Sequence, residues 1–171
     1  LLASPYHEYR LTALLALTYR YAKFKDLASR EACVNFYVSQ VDAINNWDLV
    51  DLSCYKILGH WLFDKDKQLL YDWAKEDHLW KQRIAMITCM HFVKQGEFKD
   101  ALAIADLLQH HPHDLIHKAV GWILREIGKE NEQLLVDYLT PRYKEMPRTM
   151  LRYAIERFEE GKRKAFLHSK V

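Results

Sequence analysis

The stretch "NWDLVDLS" (46–53) places a polar residue ahead of a short apolar run with helical spacing, and the same arrangement returns along the chain. Arg10 precedes "LTALLAL", Arg83 precedes "IAMITCM", Lys118 precedes "AVGWILR" and Arg148 precedes "TMLRYAI". From Arg10 through Asn46, Arg83 and Lys118 to Arg148 the separations are 36, 37, 35 and 30 residues, near the period of helical-pair repeats. The spacing therefore predicts an all-α fold, an α-solenoid of antiparallel helix pairs with a concave basic groove. In such a stack the anchor-bearing helices line one wall. That wall would gather Trp47, Asp51, Arg83, Lys118, Trp122, Arg125, Arg148 and Arg152. Cations and indoles side by side suit a nucleic-acid backbone, with Lys and Arg on phosphates and Trp on sugars or bases. The same residues equally suit packing indoles and a ladder of structural ion pairs.

Helical periodicity extends beyond the anchors. Helices are expected at about 7–23, 27–40, 42–58, 62–75, 78–94, 97–109, 113–128, 130–139 and 147–159. Five Gly and four Pro leave little room for the frequent turns of a β protein. Within the expected 42–58 helix, Trp47 and Asp51 fall four residues apart on one side, in line with Ile44, where a packing residue is expected. A carboxylate in that line is the anomaly that asks for a function.

With 171 residues, half of them hydrophobic, the chain is read as a single domain spanning 1–171. "LTALLALTY" falls short of the roughly 20 residues that span a bilayer, and a basic leader with a cleavage site is absent, so membrane insertion and secretion are not expected. Cys33, Cys54 and Cys89 are odd in number, widely spaced and set among apolar residues, as reduced core thiols are. A cytoplasmic location follows from that reading. "LLASPYHEYRLTALLAL" opens on apolar residues that need a partner, and the chain is expected to be the ordered part of a longer protein. Charge is uneven: residues 141–171 hold nine Lys/Arg against four Asp/Glu, while 1–140 hold sixteen against nineteen. A basic end suits a polyanion or a solvated last helix.

Nucleophile elbows, Gly-rich phosphate loops and paired carboxylates at catalytic spacing are missing. "DKD" (64–66) and "RFEEGKRK" (157–164) read as solvated surface. His113 and His117 in "HHPHDLIHK" share a metal-ligand spacing, but Pro112 breaks the run, Asp114 reads as a first-turn or capping acid, and no Glu follows His113. No metal and no cofactor are expected.

Four segments, "DAINNWDLVDLS" (42–53), "LWKQRIAMI" (79–87), "HDLIHKAVGWILREIGK" (113–129) and "MPRTMLRYAIERF" (146–158), resemble in order and spacing the AlkD-type DNA alkylation-repair glycosylases, which are built from HEAT-like repeats. With "SPYHEYRLTALL" (4–15) the resemblance covers nearly the whole chain, and it implies that the single 1–171 domain lacks the family's N-terminal helices. It implies that Asp51 is the catalytic carboxylate, that Trp47 and Trp122 are the two active-site indoles and that Arg83 is the active-site Arg. It further implies excision of cationic N3- and N7-alkylpurines from duplex DNA without a metal or other cofactor, and without inserting the damaged nucleotide into a base pocket. Lys118, Arg125, Arg148 and Arg152 would then neutralise phosphates, on a protein expected to act as a monomer. A non-catalytic helical-repeat nucleic-acid binder and a protein-binding solenoid are the competing readings.

Overall fold

The computed structural model describes residues 1–168. Among them every regular element is helical and no strand occurs. Two compact units are present, Leu1–His91 and a second that begins at Phe92. Among the described residues no helix is long and apolar enough to cross a membrane. Lys170, one of the nine cations counted in 141–171, lies outside the described residues.

The first unit contains α1 (His7–Lys23), α2 (Leu27–Ser39), a 3-10 turn (Val41–Ala43), α3 (Trp47–Cys54), a wide π-type turn (Tyr55–Gly59), α4 (His60–Leu62), α5 (Gln68–Lys75) and most of α6 (Leu79–Lys94). The single helix expected over 42–58 is divided. Ile44 has φ −93° and ψ 69°, and the Asn46 side chain accepts from the Trp47 N–H, so α3 starts at Trp47. This is the behaviour of Asn at a helix start, where its short amide competes for backbone donors. Ile44 is fully buried but outside α3, which corrects the expected alignment of Ile44 with Trp47 and Asp51 on one helix. The helix expected from 62 begins instead at Gln68, whose N–H is taken up by Asp66 of the "DKD" run.

α3 is held to its neighbours by polar contacts as well as by packing. The buried Tyr37 hydroxyl on α2 meets Ser53 Oγ at 2.8 Å, and that oxygen also donates to the Leu49 carbonyl at 2.6 Å. His7 Nε2 at the start of α1 donates to Asp48 Oδ2 at 2.7 Å. Further along, Gly59 permits close approach to α6: a Cβ there would lie 2.6 Å from His91 Cβ and 2.8 Å from the Thr88 carbonyl. From Gln82 to Met90 every residue of α6 is buried, as expected of a helix apolar on nearly all sides. Arg83 is the charged exception in that run.

In the second unit, α7 (Lys99–Leu108) is followed by α8 (Asp114–Glu130), α9 (Glu132–Leu139), α10 (Arg148–Ala154) and α11 (Glu160–Leu167). α8 buries Ile116, Ala119, Val120, Ile123, Leu124 and Ile127, a spacing of three and four that forms one apolar stripe. Its Gly121 admits α10, since a Cβ would stand 2.5 Å from Tyr153 Cβ and 2.6 Å from the Met150 carbonyl. α7 and α9 are joined through Asp106, which accepts from the Tyr138 hydroxyl and from Arg142 Nε, each at 2.8 Å. The helix expected over 147–159 stops at Ala154, and α11 was not expected. Glu159 caps α11 by accepting from the Gly161 and Lys162 N–H groups, and Phe166 anchors it against Tyr143 and Phe158. "RFEEGKRK" is therefore a capped helix start with an exposed surface, and only Phe158 in it is buried.

The three cysteines are buried and none forms a disulfide among the described residues, as expected of core thiols. Burial pushes the Cys54 thiol far above its usual range.

Candidate active site

Trp47 and Asp51 lie in the α3 segment that Asn46 starts, four residues apart and so on one side of the helix. Trp47 sits in the first turn and is 53% exposed. Arg83 approaches Asp51 from α6. Its Nε donates to Asp51 Oδ1 at 3.0 Å and its Nη2 to Oδ2 at 2.7 Å, a two-pronged pair across helices. The Arg83 side chain is 5% exposed and that of Asp51 is 13% exposed.

Burial explains why the two groups meet. A lone guanidinium in the apolar run of α6 would carry a large desolvation cost, and a planar carboxylate matches its fork. Asp51 is not sealed, because its outer edge still reaches solvent. Burial pushes the Asp51 carboxyl above its ordinary value, while the hydrogen bonds and charge of Arg83 pull it down and the charge of Asp48 adds to the rise. The net direction is upward. Protonated Asp51 could not accept from both arms of Arg83 as well as the ion does, so the observed geometry is that of the carboxylate.

Asp48 is the residue that sequence reasoning overlooked, together with His7. Besides accepting from His7, Asp48 takes the Leu49 N–H with Oδ1 at 2.8 Å, so one carboxylate links α1 to the first turn of α3. Nothing in the local sequence marks the pair, whose members stand 41 residues apart.

The other five candidates belong to the second unit. Trp122 is half-buried on α8, next to the Gly121 contact. Lys118 pairs with Asp114 at 2.7 Å one turn earlier, and Arg125 is engaged by Glu156 of the segment after α10 and by Glu126. Arg148 Nη1 donates to the Leu167 carbonyl at 3.0 Å, which ties α10 to the end of α11. Arg152 is exposed, and alone of these four cations it has no partner among the described residues.

The histidine run is occupied by local structure. His113 is the N-cap of α8, its Nδ1 accepting from the Leu115 N–H, and Asp114 is the first-turn acid. His117 Nε2 meets the His111 carbonyl. Among the described residues no three His, Cys, Asp or Glu side chains converge on a point where one ion could be held.

A family model described as "DNA alkylation repair enzyme" matches residues 1–158, the stretch that carries both Asp51 and Arg83. The chain belongs to the DNA alkylation repair enzyme family. Its fold is also that of a solved structure titled "Predicted DNA alkylation repair enzyme from Enterococcus faecalis", with a TM-score of 0.71 and 16% sequence identity over 92% of this chain and 72% of that one. No curated protein matches the sequence. Family membership places the chain among DNA repair enzymes, and the all-helical, solenoid-type fold expected from the repeats is the fold it has.

Proposed function

We propose that the protein is a DNA glycosylase that hydrolyses the N-glycosidic bond of cationic N3- or N7-alkylated purines in duplex DNA, with Asp51 as its catalytic carboxylate. The observation that carries this reading is the Asp51–Arg83 pair: a largely buried carboxylate, open at one edge, gripped on both oxygens and sharing a helix face with an exposed indole.

The chemistry needs few groups. Alkylation at N3 or N7 leaves positive charge on the purine, so cleavage releases a neutral base and requires no general acid. The remaining barrier is the sugar, which develops oxocarbenium character at C1′. A fixed carboxylate stabilises that cation and orients the attacking water, as carboxylates do at other glycosidic centres. Opposite charges about 4 Å apart attract by about 4 kcal/mol at an effective dielectric of about 20. If half of that is preference for the transition state, the gain is about 30-fold. The Trp47 face adds cation–π attraction of about 0.5–2 kcal/mol.

Arg83 does not touch the sugar in this scheme. Its donors hold both Asp51 oxygens in place, so little reorganisation is needed when the cation forms. His7 and Asp48 brace the same helix from α1. Arg152 is proposed to meet a backbone phosphate directly, Arg148 with the donors its bond to Leu167 leaves over, and Lys118 and Arg125 by exchanging their carboxylate partners, none of them reading sequence.

Release of N7-methylguanine from methylated duplex, measured at several salt concentrations, tests the reading. Base release that depends on Asp51 supports it. Salt-dependent duplex binding with no release at all would favour a non-catalytic binder instead.

A further inference from the structure

The second unit has a cleft between α10 and α11 that no part of the excision chemistry uses. It is lined by Thr149, Arg152, Tyr153, Glu156, Arg163 and Leu167, together with Ile155. Arg152 comes from the last turn of α10 and Arg163 from the first half of α11, so two guanidinium groups on separate helices border one opening. Both are exposed, and neither has a hydrogen-bond or ion-pair partner among the described residues. Most other cations of this unit are spoken for: Lys118 by Asp114, Arg125 by Glu156, Lys129 by Glu126, Arg142 by Asp106, Lys162 by Glu132 and Lys164 by Glu160.

The acid in the cleft does not cancel this charge. Glu156 is held by Arg125, so Glu156 with Arg125 is neutral and Arg152 with Arg163 leaves the opening at a charge of about +2. The walls are also fixed. Arg148 bonds the Leu167 carbonyl, and Phe166, 1% exposed, packs between Tyr143 and Phe158. Two planar five-donor groups on braced helices are the side chains that best match tetrahedral phosphate oxygens.

The geometry points to a phosphate-binding site in this cleft, with Arg152 and Arg163 as its two arms and one phosphodiester of the DNA backbone as its ligand. The site rests on the reading that the protein acts on DNA, but not on base excision. Both arms line one cleft within one unit, so the site needs no contribution from α3 or α6.

The test uses unmodified duplex, so that base release plays no part. Each phosphate neutralised contributes about 0.9 to the slope of log K against log salt. Arg163→Gln is expected to lower that slope by up to about 1, and to weaken binding by up to about 8-fold at 0.1 M salt, converging with the parent as salt approaches 1 M. Because both arms hold one phosphate, the Arg152→Gln/Arg163→Gln double variant loses about 1 in slope rather than about 2. Arg163→Lys restores part of the slope, and Lys164→Gln, on the same helix but paired with Glu160, leaves it unchanged. Thermal melting of each variant separates loss of binding from loss of fold. The proposal is overturned if Arg163→Gln keeps the parental slope, or if Lys164→Gln lowers it equally. It is also overturned if inorganic phosphate raises the melting temperature of the parent but not of Arg163→Gln while duplex binding is the same in both, since the cleft would then take a small phosphate. A protein that shows this slope change yet releases no base keeps the phosphate site and loses the glycosylase reading.

Discussion

Replacing Asp51 by Asn separates what the Asp51–Arg83 pair does for the fold from what it does for chemistry. Asn keeps one carbonyl oxygen for the guanidinium but turns an amide donor toward the other arm, so one of the two bonds, at 3.0 and 2.7 Å, is lost. A hydrogen bond to a charged group contributes about 1.5–3 kcal/mol. Relief of the desolvated carboxylate, whose burial already pushes its pKa up, offsets part of that loss. The expected net cost is about 1–2 kcal/mol, or about 2–8 °C in melting temperature for a chain of this size. Arg83→Gln is expected to cost a similar amount, because the carboxylate it abandons can take up a proton. The double variant Asp51→Asn/Arg83→Gln puts two neutral amides face to face and should recover at least about 1 kcal/mol relative to the sum of the singles. Base release from methylated duplex should fall about 30-fold or more in Asp51→Asn, with most of the DNA affinity retained, and the double variant should remain equally slow although its stability returns. Denaturant melts and single-turnover release measured on the four proteins complete the cycle. Additive stabilities within about 0.3–0.5 kcal/mol would refute the coupling, and a parental release rate in Asp51→Asn would remove Asp51 from the mechanism.

Four further outcomes follow from the structure. Since the folded Asp51 carboxyl titrates above its ordinary value, enzyme-dependent release should decline on acidification with an inflection above that of an ordinary Asp, and Arg83→Gln should move that inflection higher; a pH–rate profile reads both. The sign for stability is opposite: a raised folded pKa favours the protonated state, so the Asp51 contribution is fully present below the unfolded pKa and lost as pH rises through the folded one, which melting curves across the acid range would show. Trp47→Ala removes an indole that is 53% exposed, so melting should change by no more than about 0.5 kcal/mol, whereas release should slow by roughly 2- to 30-fold; equal rates would take the ring out of the site. Gly121→Ala must push α10 away, because the new methyl would lie 2.5 Å from Tyr153 Cβ and 2.6 Å from a carbonyl, at a cost of about 1–3 kcal/mol; a melting temperature equal to the parent's would mean that α8 and α10 are not packed as described.

The repeated anchors and the three-and-four spacing of 113–129 made the all-helical fold legible, since helix formation on an apolar stripe is encoded by neighbours in the chain. Trp47 and Asp51 could be placed on one helix face for the same reason. The helix starts were read less well. Asn46 and Glu159 both act through capping bonds that override the apolar pattern around them, so one expected helix was divided and α11 was missed.

What the sequence by itself determined is local: the helical class, the apolar stripe of α8, the reduced thiols and the shared face of Trp47 and Asp51. Repeat phase put Asp51 and Arg83 on one wall, but the two-pronged bond between them was decided only by tertiary structure, because Arg83 is 32 residues away and meets Asp51 across α3 and α6. The same holds for His7 with Asp48 and for the cleft that Arg152 and Arg163 line from separate helices. Periodicity states which side of a helix is apolar, but which charge lies opposite depends on how closely two helices approach, and close approach is itself a matter of local space, such as Gly59 leaves for α6 and Gly121 for α10.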